Sequence, residues 1–250
     1  MCGIVGYIGT QEAAPILLDG LAKLEYRGYD SAGISVRNSK TGEIDTVKAK
    51  GRLKILAEKT DGGNAMKGTS GIGHTRWATH GEPSELNAHP HCSDDHSLVL
   101  VHNGIIENYL ELKEKLVKSG YRFYSQTDTE VATKLIDFYY KKTGDHLEAI
   151  SRAMLRIRGS YALGIMYADC PDKIFAVRKD SPLIVGHNET GTFIASDVPA
   201  ILKYTRQVYY IGNLEIAVLD KDSVQFYNID REEIQKDLVE IKWDAEAAEK

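Results

Sequence analysis

Met1-Cys2-Gly3-Ile4-Val5-Gly6-Tyr7-Ile8 opens the chain, and its reading decides which fold and which chemistry the rest must serve. Residues 3–9 form a short run rich in Ile and Val, punctuated by Gly3, Gly6 and Gly9, which predicts a buried strand. Cys2 stands directly ahead of it. Removal of an initiator Met would leave one residue with both a thiol and a free α-amine. The thiolate is the nucleophilic form of a thiol whose free pKa is near ~8.5. An α-amine titrates at about 7.7–8.0, so a neutral fraction can take up the thiol proton. Nucleophile and base would then come from a single residue. The plainer alternative is a small buried side chain opening an edge strand.

The totals bound the answer. The 250 residues are 42% hydrophobic and 27% charged, an ordinary globular composition, and the length suits one large domain or two small ones. A net charge of −5 without a basic stripe argues against nucleic-acid partners and against an anionic membrane surface. No apolar run reaches the roughly eighteen residues of a membrane helix, and no basic-then-apolar leader opens the chain. Cys2, Cys92 and Cys170 are odd in number and far apart, which is no disulfide framework and fits a reduced, cytoplasmic setting.

Along the chain, Leu17, Leu21 and Leu24 give residues 12–24 the apolar face of a helix, with Pro15 tolerated in its first turn. Strands are expected at 33–37 and 43–48 around a turn at 38–42, and a short helix at 53–59. Residues 71–91 lack periodicity and read as a long polar loop of functional density. A strand at 97–101 runs into His102-Asn103-Gly104, and three helices follow, at about 107–118, from about 128 to 141, and at 145–158. Residues 160–227 are nearly all short strands, and the last twenty residues look like a surface helix or a linker. Two blocks of strands separated by helices favour a layered α+β domain over a doubly wound one. Neither a dinucleotide-binding glycine pattern nor a P-loop is present.

A nucleophilic Cys2 acting on an amide needs donors fixed in advance for the tetrahedral oxyanion. Asn103 and Gly104 can supply a side-chain NH₂ and a backbone N–H; as an alternative they are a simple Asn-Gly turn. The Arg76 guanidinium suits a substrate carboxylate. Asp128 suits a substrate ammonium, or else it or Thr129 caps the following helix. Trp77, Thr79 and His80 lie on the same stretch as Arg76 and could wall the site. The histidines at 74, 80, 89, 91, 96 and 102, with Cys92, do not have the spacing of a zinc site, so no metal is expected.

Six segments, in order, then carry a resemblance: Cys2–Gly6, Tyr26–Gly33, His74–Pro83, Asn87–His91, His102–Asn108 and Thr127–Glu130. Together they resemble the glutaminase domain of class II glutamine amidotransferases of the N-terminal nucleophile hydrolase type, and within them the glutamine–fructose-6-phosphate aminotransferase branch. The resemblance covers about residues 2–230. It implies a four-layer αββα sandwich of two antiparallel sheets, no cofactor, removal of Met1, and attack by Cys2 on the side-chain amide of L-glutamine through a γ-glutamyl thioester. It implies Asn103 and Gly104 as the oxyanion hole, Arg76 and Asp128 as the clamps on the glutamine α-carboxylate and α-ammonium, and Trp77, Thr79 and His80 on a closing loop. Arg27 and His102 would support the N-terminal loop and the oxyanion strand. Residues 231–250 would start a linker to a sugar-isomerase region absent from this chain, where fructose 6-phosphate binding and homodimerisation would reside. Two alternatives stay open: a catalytically silent glutamine-binding regulatory domain, and the glutaminase domain of another amidotransferase.

Overall fold

The computed structural model describes residues 2–244. The fate of Met1 and the end of the expected linker, 245–250, lie outside the described residues. Strand β1 (Gly3–Gly9) leads into helix α1 (Ala13–Ala22), followed by β2 (Ser31–Arg37), β3 (Ile44–Lys50), α2 (Leu53–Lys59), β4 (Ser70–Arg76), β5 (His91–Cys92) and β6 (Leu98–Ile106). Three helices come next, α3 (Tyr109–Lys118), α4 (Asp128–Thr143) and α5 (His146–Arg156). The strand-rich half holds β7 (Gly159–Tyr167), β8 (Ile174–Lys179), β9 (Ile184–Asn188), β10 (Gly191–Ala195), β11 (Gln207–Tyr210), β12 (Glu215–Leu219) and β13 (Val224–Tyr227). Two short strands end it, β14 (Glu233–Ile234) and β15 (Val239–Glu240).

Two antiparallel sheets result, ordered β15-β11-β9-β10-β1-β4-β2-β3 and β14-β13-β12-β8-β7-β6-β5. Side-chain alternation makes four layers of them. Ile4 and Ile8 of β1 point into the seam between the sheets, while Val5 and Tyr7 point toward α1. In the second sheet, Val99 and Val101 of β6 face the seam, and Leu98 and Leu100 face α4 and α5. Both faces of each sheet's centre are therefore covered, and β1, β2, β4 and β10 are buried at every residue. The architecture is the α+β, αββα sandwich the chain was expected to adopt.

Two expectations change. The first part of the polar stretch 71–91 is not loop: Ser70–Arg76 is β4, lying between β1 and β2 at the centre of its sheet. Its apolar signal is weak because glycine replaces bulk where α1 packs close. A Cβ on Gly71 or Gly73 would come within 2.9 Å of a Leu17 or Leu21 methyl. The tail also departs from a surface helix or linker. β14 pairs with β13 and β15 pairs with β11, so the segment adds an edge strand to each sheet, and Ile241 joins the core under α1. Its sequence is too charged to show this, since an edge strand needs only a few backbone bonds and one buried side chain.

The seam tolerates little extra volume. A Cβ on Gly6 would lie 2.5 Å from Ile194 Cγ1, an atom fixed by β-branching. Gly6→Ala should therefore destabilise the domain by about 1–3 kcal/mol, read as a lower urea midpoint; an unchanged midpoint would mean that the seam is looser than its geometry.

Candidate active site

Antiparallel pairing of β1 with β4 sets Gly3 opposite Thr75, so Cys2 and Arg76 flank one end of the sheet. Strand β6 of the second sheet packs across the same end and brings Asn103. The Asn103 amide Nδ2 donates to the Cys2 carbonyl at 3.1 Å. Asn103 and Gly104 lie inside β6 rather than in a turn, which is why the strand extends past Val101. Gly104 has φ 114°, and a Cβ there would sit 2.1 Å from the Ser160 carbonyl oxygen, so only glycine fits.

The Cys2 thiol is partly exposed. Its sulfur accepts the Trp77 N–H at 3.2 Å and lies 3.5 Å from the Trp77 carbonyl. Burial pushes the thiol pKa up, against a smaller opposing pull from the Trp77 N–H. The resting group is thus a thiol that needs a base to become a nucleophile.

Arg76 is buried, and its guanidinium is already occupied in part. Nη1 donates to the Glu82 carbonyl at 3.2 Å, and Nη2 donates to the carbonyls of Gly81, at 3.0 Å, and His80. Asp30 stands 3.9 Å from the same guanidinium, and its carboxylate also accepts the Ala78 N–H. Arg76 and Asp30 thereby fold the segment 77–82 over the end of β4. Trp77 is exposed on this segment, edge-on to Tyr29 at 5.6 Å, and Thr79 is exposed beside His80.

Asp128 is not the helix cap. Thr127 caps α4, its hydroxyl accepting the Glu130 N–H, and Asp128 is the first helical residue. Its buried carboxylate accepts the Ile106 N–H at 2.8 Å and stands 3.8 Å from His80 Nδ1. Negative charge at a helix N-terminus is stabilised there. Cys2, Arg76, His80, His102, Gly104 and Asp128 line one small pocket. Arg27 lies apart from that lining; it pairs with Asp197 at 2.7 Å, next to the 3-10 turn at Val198–Ala200.

Four buried histidines form a column, and two of them, His89 and His102, line the pocket. His74 stacks on His89 at 3.9 Å, and His89 lies parallel to His102 at 6.3 Å. His102 Nδ1 and His89 Nε2 share the Thr129 hydroxyl at 2.9 and 3.2 Å, and His91 Nε2 contacts the Thr127 hydroxyl at 2.9 Å. Thr129 therefore serves the column rather than the cap. The signal in the sequence was only the density of histidine between residues 74 and 102. Among the described residues no three His, Cys, Asp or Glu side chains are grouped to hold a metal ion.

Burial lowers all four pKa values, with His74 brought down to about 3. Each folded value lies below the ordinary 6.5, so the unfolded chain binds more protons below that pH. The stability these neutral rings permit is present above pH 6.5 and is lost as pH falls toward the depressed values. Each histidine can contribute a slope of about 1.4 kcal/mol per pH unit in that window. Urea unfolding followed from neutral pH to mildly acidic pH should show stability falling with a slope of more than one proton; a flat profile would contradict the neutral column.

Comparison with known proteins agrees with this fold. A family model described as a glutamine amidotransferase domain matches residues 74–203. The whole chain is 57% identical to the glutamine–fructose-6-phosphate aminotransferase (isomerizing) of Caldanaerobacter subterraneus subsp. tengcongensis and 56% identical to that of Clostridium acetobutylicum. The chain spans 40% of the length of each of these relatives. Among solved structures, the glutamine phosphoribosylpyrophosphate amidotransferase from B. subtilis superposes with a TM-score of 0.77 at 26% identity, over 91% of this chain and 49% of that one. By its sequence, its sandwich and its family model, this chain belongs to the glutamine amidotransferase domain family.

Proposed function

We propose that the domain hydrolyses the side-chain amide of L-glutamine through Cys2. The observation that carries this reading is one pocket in which a thiol, a guanidinium and a carboxylate converge beside the Asn103 amide. Free glutamine is an amide bearing a carboxylate and an ammonium, and it would match that set group by group. With Met1 removed, the Cys2 α-amine takes the thiol proton as sulfur attacks the amide carbon. The carbonyl electrons move to oxygen, and Asn103 Nδ2 and the Gly104 N–H donate hydrogen bonds to the resulting oxyanion. Collapse breaks the C–N bond, the α-ammonium protonates the departing nitrogen, and ammonia leaves a γ-glutamyl thioester. Water then attacks, the amine takes its proton, and glutamate departs as the sulfur is reprotonated.

Arg76 has five N–H donors, and three of them serve loop carbonyls. The remainder would pair with the substrate carboxylate, so the same side chain would bind glutamine and hold the segment bearing Trp77, Thr79 and His80 in place. Asp128 would take the ammonium. In the whole protein the ammonia would pass to fructose 6-phosphate, as the relatives' name describes for them. That sugar site and a homodimer contact would belong to a further region outside this domain.

Cys2→Ala should abolish glutamate release while leaving the fold intact by circular dichroism; persistent release would end the nucleophile assignment. Asp128→Asn keeps an acceptor for the Ile106 N–H but removes the charge. It should raise KM for glutamine by roughly 10–100-fold, the worth of one charge-assisted hydrogen bond. An unaltered KM would move the ammonium site elsewhere.

A further inference from the structure

The Asn103 amide can donate to an oxyanion in only one of its two orientations, and an Asn terminal torsion has two broad, roughly equivalent wells. Something must choose between them. The amide oxygen Oδ1 lies 3.0 Å from His74 Nε2, and His74 Nδ1 has no hydrogen-bond partner among the described residues. An amide oxygen only accepts, so the ring carries its proton on Nε2 and donates it to Asn103. On the other side, Nδ2 donates to the Cys2 carbonyl. Turned over, the amide would set oxygen against the Cys2 carbonyl oxygen. Its NH₂ would then face the His74 N–H unless the ring moved its proton to Nδ1. The Cys2 carbonyl selects the orientation, and His74 Nε2 holds it from the other side.

The ring itself is held. His74 is fully buried at the centre of β4, and its face stacks on His89. His89 is fixed in turn, accepting the His102 N–H at Nδ1 and contacting Thr129 through Nε2. Burial keeps the ring neutral. His74 therefore brings no charge that would itself titrate with the reaction, only a directed N–H. A donor on Oδ1 also polarises the amide and strengthens its N–H groups as donors.

We propose that His74 is a positioning residue: its Nε2–H bond to Asn103 Oδ1 holds the amide with its N–H groups toward Cys2, so the oxyanion meets a donor already in place. This rests on Asn103 being the oxyanion donor assigned above. A role in catalysis differs from a purely structural one in what it moves. Glutamine binds as a neutral amide, without an oxyanion. The γ-aldehyde analogue of glutamine forms a thiohemiacetal with Cys2 and presents one.

The test compares His74→Phe, which keeps a ring for the stack, with His74→Gln, which keeps an N–H donor near the Nε2 position. For His74→Phe, kcat should fall by about 10²-fold, the lower range for loss of one oxyanion donor, with KM unchanged. The Ki of the aldehyde should rise by the same factor. His74→Gln should recover most of the loss. In an Asn103→Ala background, His74→Phe should lower kcat no further. Independent multiplication of the two effects, or a rise in the KM for glutamine that matches the rise in the aldehyde Ki, would overturn the proposal. If Asn103→Ala alone leaves kcat intact, the oxyanion assignment falls and not merely the role of His74. Nitrogen-edited NMR of the unmutated protein at neutral pH supplies a check independent of any variant: the Nε2–H tautomer of His74 supports the proposal, and the Nδ1–H tautomer refutes it.

Discussion

The seam between the two sheets is the constraint on which the rest depends. Antiparallel sheets commonly leave one face to water; here the central strands must satisfy apolar neighbours on both faces. That requirement explains why β1 reads as an unbroken buried run, and why glycine recurs wherever a neighbour comes close. It also fixes the site. With Ile4, Ile72, Val101 and Ala162 packed in one layer, β1, β4 and β6 can lie against each other in only one register. Their ends then bring Cys2, Arg76 and Asn103 to the same edge of the sandwich.

Rigidity at that edge comes from buried polar groups, most of them held by specific hydrogen bonds. Arg76 is neutralised by carbonyl dipoles and by Asp30 rather than by a tight ion pair. The histidine column is kept neutral, so its members can be packed as flat polar rings with specific donors and acceptors. Such an interior carries little tolerance for a misplaced proton, since an unsatisfied buried polar group costs about 1–3 kcal/mol. It gives in exchange a set of side chains whose orientations are chosen before substrate arrives, which is the condition for oxyanion stabilisation in a low-dielectric site.

Much of this was legible in order along the chain. The Ile- and Val-rich run of β1, the Leu17 and Leu21 face of α1, and the run of short strands after residue 159 point to layers of sheet and helix. Cys2, Arg76, Asn103, Gly104 and Asp128 stand out by residue type, because amide chemistry needs a nucleophile, an oxyanion donor and charged clamps. Other features carried no local mark. β4 looked like loop because its glycines answer the closeness of α1, which lies elsewhere in the chain. Thr127 rather than Asp128 caps α4 because Ile106, on another element, supplies a different donor for the carboxylate.

The sequence by itself determined which chemical groups are available and which elements they sit on, since both follow from residue type and from periodicity within a dozen residues. Only the tertiary structure decided which groups meet. Packing of one sheet on the other brings residues about a hundred positions apart, Cys2 and Asn103, within hydrogen-bonding distance. It also decided the roles of His74, His89 and Thr129. A histidine's proton and an asparagine's orientation are set by the partners that surround them, and those partners come from β1, β4, β6 and α4 together.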